Sequence, residues 1–260
     1  MLSFSKSLLL KLLLVSLGTI TAIISIANSL DEDAAVLIGN YSYIPIQIAM
    51  LLTAVYVVRF FGTDGVHGIG WFAFLGFVIC WFAGDMSWII LEMVFELEPY
   101  PSIADMFYLL GYPFLMIFVM SYIMPFRNAI SKRMVMLSIS ASILLVTVSI
   151  LMIGIPDYEF DTALTLAYPV LDGIILIPVL LGLFMFLKSR TDLMWSLILF
   201  GILSTFIGDI AFSYMEYADI YYTGNPLELA FFWSYILLTF GMVYNVKMTS
   251  SLGTRDGTHD

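Results

Sequence analysis

Cysteine is almost absent. Cys80 is the only one, so no internal disulfide can brace the fold. It falls within an apolar run, which suits a packed thiol. Histidine is nearly as scarce. His67 is expected near a helix end and His259 in a polar tail, and two isolated imidazoles exclude a histidine-built metal or catalytic centre. Basic residues number 10 against 20 acidic ones, a net charge of −10. That balance excludes a nucleic-acid partner, whose phosphates need basic surface. Long polar stretches are missing as well. A mean hydropathy of +0.99 and 61% apolar residues exclude a soluble domain.

What is present is a series of apolar segments, each near the ~20 residues that a bilayer crossing requires. Eight are read, at 7–28, 41–60, 68–95, 103–123, 134–155, 162–187, 193–216 and 226–246. The expected fold class is therefore an all-α integral membrane protein with eight transmembrane helices. Short connections leave no room for a sizeable domain outside the membrane. Residues 250–260 read as a polar cytoplasmic tail. The start, with Lys6 and Lys11 ahead of an apolar run, has the look of a signal peptide. Its length, and the repeat described below, favour a true span.

Lys and Arg mark cytoplasmic loops. With eight spans, Lys6, Lys11, Arg59, Arg127, Lys132, Arg133, Lys188, Arg190, Lys247 and Arg255 all fall on one side. The opposite loops carry Asp31, Glu32, Asp33, Glu96, Glu98, Asp157, Glu159, Asp161 and Asp219, with no Lys or Arg. Both termini are expected in the cytoplasm, and the chain in the cell membrane as a multi-pass protein.

The chain also repeats itself. At an offset of 124 residues, Pro45 meets Pro169, Trp71 meets Trp195, Gly84-Asp85 meets Gly208-Asp209 and Glu92 meets Glu216. After a one-residue deletion, Asp105 meets Glu228 and Tyr112 meets Tyr235. A single membrane domain over 1–250 is expected. It comprises two parallel four-helix repeats, 5–125 and 131–249, related by an axis along the membrane normal.

Seven carboxylates fall inside the expected spans: Asp85, Glu92, Asp105, Asp172, Asp209, Glu216 and Glu228. No Lys or Arg lies at similar depth. A charge at the bilayer centre costs about 2.5–3.5 kcal/mol on insertion scales, so such groups should face the protein interior. Asp85 and Glu92 are seven residues apart and share a helix face, and Asp209 and Glu216 repeat that spacing. The group concentrates toward the outer half of the membrane. Several acids without internal bases cannot all be ionised at close range. Either some carry protons or a cation lies among them. Tyr108, Tyr112, Tyr168, Tyr214 and Tyr235, with Trp88 and Trp233, can supply donors and apolar walls. Ordinary roles remain open beside the functional ones. Asp105 and Glu228 can cap helices, Glu92 and Glu216 can reach the outer interface, and Pro45 and Pro169 can simply kink helices. Asp85 and Asp209 each follow Gly within an apolar run and are the firmest candidates.

The stretch Pro99 to Pro113, PYPSIADMFYLLGYP, resembles a motif in a family of multi-span membrane input domains. In bacteria and archaea these precede diguanylate cyclase or histidine kinase modules. Gly84-Asp85 with Trp88, Tyr168-Pro169 with Asp172, and Gly208-Asp209 followed by Asn225-Pro226 and Phe232-Trp233-Ser234-Tyr235 are similar to the same family. The resemblance implies a sensory or ligand-binding module. No cyclase or kinase follows Lys247, so a separate cytoplasmic signalling protein is the expected partner. The ligand expected in the outer half is a cation or a small or lipidic molecule, held among Asp85, Glu92, Asp105, Tyr108, Tyr112, Asp172, Asp209, Glu216, Glu228 and Tyr235. No particular metal or cofactor is indicated. A fainter similarity, to the eight-span lysoplasmalogenase-like family, implies the alternative: an intramembrane hydrolase of the vinyl-ether bond of a lysolipid, with Asp85 and Asp209 as the catalytic acid/base pair. Two carboxylates with different pKa values suit that chemistry.

Overall fold

The structure, a computed structural model, describes residues 6–153, 160–186 and 192–256. Among these there are eight long α-helices and no strand: α1 (Lys6–Leu30), α2 (Glu32–Phe61), α3 (Gly65–Met93), α4 (Ile103–Ile123), α5 (Lys132–Ile153), α6 (Phe160–Phe186), α7 (Asp192–Tyr217) and α8 (Leu229–Asp256). Short 3-10 turns follow α4 at Met124–Ala129 and precede α8 at Pro226–Glu228. Each of the eight is long and apolar enough to cross a membrane, with mean hydropathy from 1.5 to 2.4 over its most apolar stretch. Their outer surfaces carry Leu14, Leu52, Phe72, Met136, Leu151 and Ile207, all largely exposed, as lipid-facing positions should be. The chain is a multi-pass membrane protein.

Two boundaries differ from the sequence expectation. The expected loop before residue 41 is helix, because Asp31 alone separates α1 from α2. Its carboxylate caps α2 by accepting from the Ala34 N–H at 2.7 Å, and Glu32 and Asp33 sit in the first turn, at the positive end of the helix dipole. These acids start a helix rather than fill a loop. At the other end, α8 runs to Asp256, beyond the tail boundary set at 250, because extending a formed helix by one residue is far easier than nucleating it. Asp157, Glu159, Lys188, Arg190 and His259 lie outside the described residues.

Apolar burial gives little drive for helix association inside lipid, so close packing has to. The tightest packing is between α3 and α4 and between α7 and α8, and in both pairs glycine makes room for rings. The Tyr108 ring lies where a Cβ on Gly84 would be, and the Phe231 ring lies in the same way over Gly208. Across the bundle α2 packs on α8, and α6 on α4. Pro169 deprives the Thr165 carbonyl of its helix donor, and Ser213 of α7 supplies a hydroxyl at 3.4 Å.

The connection 218–225 is drawn down onto the helices. Asn28 of α1 donates to the Gly224 carbonyl at 2.8 Å and accepts from the Tyr222 hydroxyl at 2.8 Å. Gly224, at φ +81, abuts Gly39 of α2, and a Cβ on Gly39 would come within 2.6 Å of the Gly224 Cα. Gly39→Ala should therefore lower the thermal midpoint in detergent, at the cost of about 1–3 kcal/mol expected for overpacking. Gly18→Ala, where nothing lies within 4 Å, should leave the midpoint unchanged or raise it by removing a helix-interior glycine. Equal midpoints for Gly39→Ala and the wild type would show that this contact does not hold the connection.

Candidate functional site

A cavity lies at the end of the bundle covered by the connection 218–225, whose Tyr221 and Thr223 line it. Its empty space, mouth included, is about 570 Å³. Nine aromatic side chains form the walls: Tyr43 from α2, Trp81 and Trp88 from α3, Tyr108 from α4, Tyr168 from α6, Phe212 from α7, Tyr221 from the connection, and Phe231 and Tyr235 from α8. Four carboxyl groups also line it, those of Asp85, Asp105, Asp209 and Glu228, together with Thr223. No Lys, Arg or His is among the lining residues.

Three of the four carboxylates have a donor on each oxygen. Asp85 accepts from the Tyr108 hydroxyl at 2.6 Å and from the Gln47 amide, with Tyr235 against the same group. Asp105 serves two purposes at once. Its Oδ2 accepts from the Ser102 N–H at 2.7 Å, closing the first turn of α4, while its Oδ1 accepts from the Tyr168 hydroxyl at 2.6 Å. The capping reading and the site reading thus hold together. Glu228 accepts from the Gly224 N–H at 2.7 Å and from the Tyr221 hydroxyl, with Tyr43 beside it. Burial, then the neighbouring Glu228 carboxylate, push the Tyr221 phenol well above the ordinary tyrosine range, so it remains a donor.

Asp209 differs. It is 6% exposed, and the one hydroxyl or amide that reaches it among the described residues is that of Tyr112, at 3.3 Å. The same hydroxyl donates to Asp172 at 2.8 Å, and the two carboxyl groups lie against each other. The second oxygen of Asp172 is buried and no hydroxyl or amide reaches it. A phenol has one hydrogen to give, so the Asp172–Asp209 pair is short of donors.

Of the ten candidate residues, Asp85, Asp105, Tyr108, Asp209, Glu228 and Tyr235 line the cavity. Tyr112 and Asp172 stand behind Asp209. Glu92 stands behind Thr223. It accepts from the Thr223 hydroxyl at 3.0 Å and from the Asn40 amide at 2.7 Å, while Trp88 donates to Thr223 at 3.1 Å. Glu216 does not join them. It is half-buried at the end of α7, near Glu98, Asp105 and Asp219, because it lies two turns past Asp209, about 10 Å along the helix and one residue from its end at Tyr217. Tyr214 and Trp233, expected as wall residues, are 39% and 40% exposed. Trp233 instead donates to Thr21 at 3.1 Å.

Sequence reading missed Asn40, Tyr43, Gln47, Tyr221 and Thr223. A signal existed for two of them. Asn40 and Gln47 are seven residues apart on α2, as Asp85 and Glu92 are on α3. Antiparallel pairing of two such faces makes two rungs, Gln47 with Asp85 and Asn40 with Glu92.

Among the described residues no group of three or more His, Cys, Asp or Glu side chains is arranged to hold a metal ion. No protein-family model matches the chain, nor does any curated protein or solved structure.

Tyr168→Phe removes the side-chain donor of buried Asp105 and leaves it backbone N–H groups alone. The expected loss is about 1–3 kcal/mol of stability, the usual cost of an unmet buried acceptor, read as a lower thermal midpoint. An unchanged midpoint would mean that the 2.6 Å contact adds nothing to stability.

Proposed function

We propose that the chain is a membrane-embedded sensory module that binds a ligand in this cavity, in the outer half of the cell membrane, and passes the change to a separate cytoplasmic protein. The observation that carries the reading is the convergence of four carboxyl groups and nine aromatic side chains from six helices and a connection on one hollow. Buried acids are expensive in a membrane and mark functional sites by default. A structural bundle of this size has no need of four around an empty space. The similarity of residues 99–113 to input domains points the same way, since that stretch supplies Asp105 and Tyr108 to the wall.

Orientation follows from charge. Lys6, Arg59, Arg127, Lys132 and Arg133 lie at the helix ends remote from the cavity, which supports a cavity facing outside and both termini in the cytoplasm. The reading of two parallel repeats is supported by reciprocal contacts. Tyr112 of the first half reaches Asp209 of the second, and Tyr235 of the second reaches Asp85 of the first. Tyr168 likewise meets Asp105, and Tyr43 meets Glu228.

Native mass spectrometry of protein extracted from its own membranes tests the function. The wild type should carry a small molecule that a cavity-filling Thr223→Trp variant lacks; wild type that flies empty would end the ligand-binding reading. Fusions test the orientation. A fluorescent protein placed after residue 256 should fluoresce, and alkaline phosphatase placed after Glu98 should be active. The reverse pattern would invert the topology.

The second reading, a vinyl-ether hydrolase, is favoured by one observation. Asp85 and Asp209 line the same cavity in unlike surroundings, one fully supplied with donors and one not. Such hydrolysis needs an acid to protonate the alkenyl carbon and a base to deprotonate the attacking water. Release of fatty aldehyde from a lysoplasmalogen, abolished by Asp209→Asn, would establish it. No release by the wild type would exclude it.

A further inference from the structure

We infer that the cavity takes the ammonium group of a small organic cation, seated against Asp209 and faced by aromatic rings. This rests on the ligand-binding reading and gives that ligand a chemical class.

The argument is an account of donors. An ionised carboxylate accepts on two oxygens. Those of Asp85, Asp105 and Glu228 are filled from within the protein. Asp209 has the shared hydroxyl of Tyr112 at 3.3 Å and, beyond that, only the carboxyl group of Asp172. The sequence holds the reason. Tyr108 lies over Gly84 and its hydroxyl reaches Asp85. Phe231 lies over Gly208 in the same way but has no hydroxyl for Asp209. To Asp85, α2 offers the Gln47 amide; to Asp209, α6 offers a second carboxyl group, Asp172. The site has lost two donors and gained an acid.

Two buried carboxyl groups side by side cannot both be ionised unless a positive charge joins them; otherwise one keeps a proton. No Lys, Arg or His lines the cavity to supply that charge, so a cation has to come from the ligand. An anion would meet four carboxyl groups. A hard divalent ion would want six or more oxygen ligands, and among the described residues no three acids are arranged to hold one. An ammonium ion needs one carboxylate and draws further stabilisation from ring faces. Trp81, Trp88 and Phe212 are among the aromatic side chains of the wall. The ammonium can belong to a free amine or to a phospholipid head group.

The test titrates the wild type, in a maltoside detergent, with choline, tetramethylammonium and ethylammonium chlorides and follows tryptophan fluorescence, since Trp81 and Trp88 line the site. Sodium chloride at equal ionic strength and 3,3-dimethylbutan-1-ol, a neutral analogue of choline, are the controls. Saturable changes with at least one ammonium salt and none with either control are expected. Phe231→Tyr, which restores the missing hydroxyl, should raise the apparent Kd about tenfold or more, and Asp209→Asn should do the same. Equal response to the neutral alcohol, or unchanged affinity in Phe231→Tyr, would overturn the cation assignment while leaving a ligand-binding module standing. No response to any probe would overturn it too, with the ligand-binding reading judged separately by what the wild type carries in native mass spectrometry. Repeating the choline titration in nanodiscs separates the sources. Weaker apparent affinity in phosphatidylethanolamine than in phosphatidylglycerol assigns the site to a lipid head group; equal affinity assigns it to a free solute.

Discussion

A carboxyl group buried in a bilayer has no water to turn to, so the protein has to supply its hydrogen bonds. Much of this bundle's polar interior follows from that requirement. The principal donors are tyrosine hydroxyls, which combine an apolar body with a polar tip and so reach an acid from a neighbouring helix without adding charge. Tyr108 serves Asp85, Tyr112 serves Asp172, Tyr168 serves Asp105 and Tyr221 serves Glu228. Several of these bonds join elements distant in sequence. They fix how the helices around the cavity sit against one another, in a medium where apolar burial offers little preference.

The connections take part in the same scheme. Residues 218–225 would otherwise form a solvent-facing loop, yet Asn28, Glu92, Trp88 and Glu228 each bind a residue of that stretch. The Gly39–Gly224 contact removes the side chain that would hold the strand of chain away from α2. The loop thereby becomes a wall of the cavity, and movement of a ligand inside would be felt by Tyr221 and Thr223 directly.

The two acids in the Gly-Asp pairs are chemically unequal although their local sequences agree. Asp85 has an amide and a phenol at hydrogen-bond distance, whereas Asp209 lies against a second acid, and the ring over its neighbouring Gly208 is a phenylalanine. A ligand-binding site and an acid/base pair would both exploit such inequality. The first uses the unmet charge to hold a cation, and the second uses it to move a proton.

The sequence by itself determined the membrane character, the number of apolar helices and five of the buried acids, Asp85, Asp105, Asp172, Asp209 and Glu228, because hydropathy and the cost of burying charge act residue by residue. Spacing placed Asp85 and Glu92 on one face before any contact was known. Tertiary structure decided which acids share the hollow and which donors each one has. Glu216 has the same spacing from Asp209 as Glu92 has from Asp85, yet Glu92 meets Asn40 and Thr223 whereas Glu216 is half-buried at a helix end, since what packs two turns along a helix is set by its neighbours. Asn40, Gln47 and Tyr221 became partners only when α2 and the 218–225 connection closed over the acids. A donor is defined by geometry between chain segments, and no single segment carries that information.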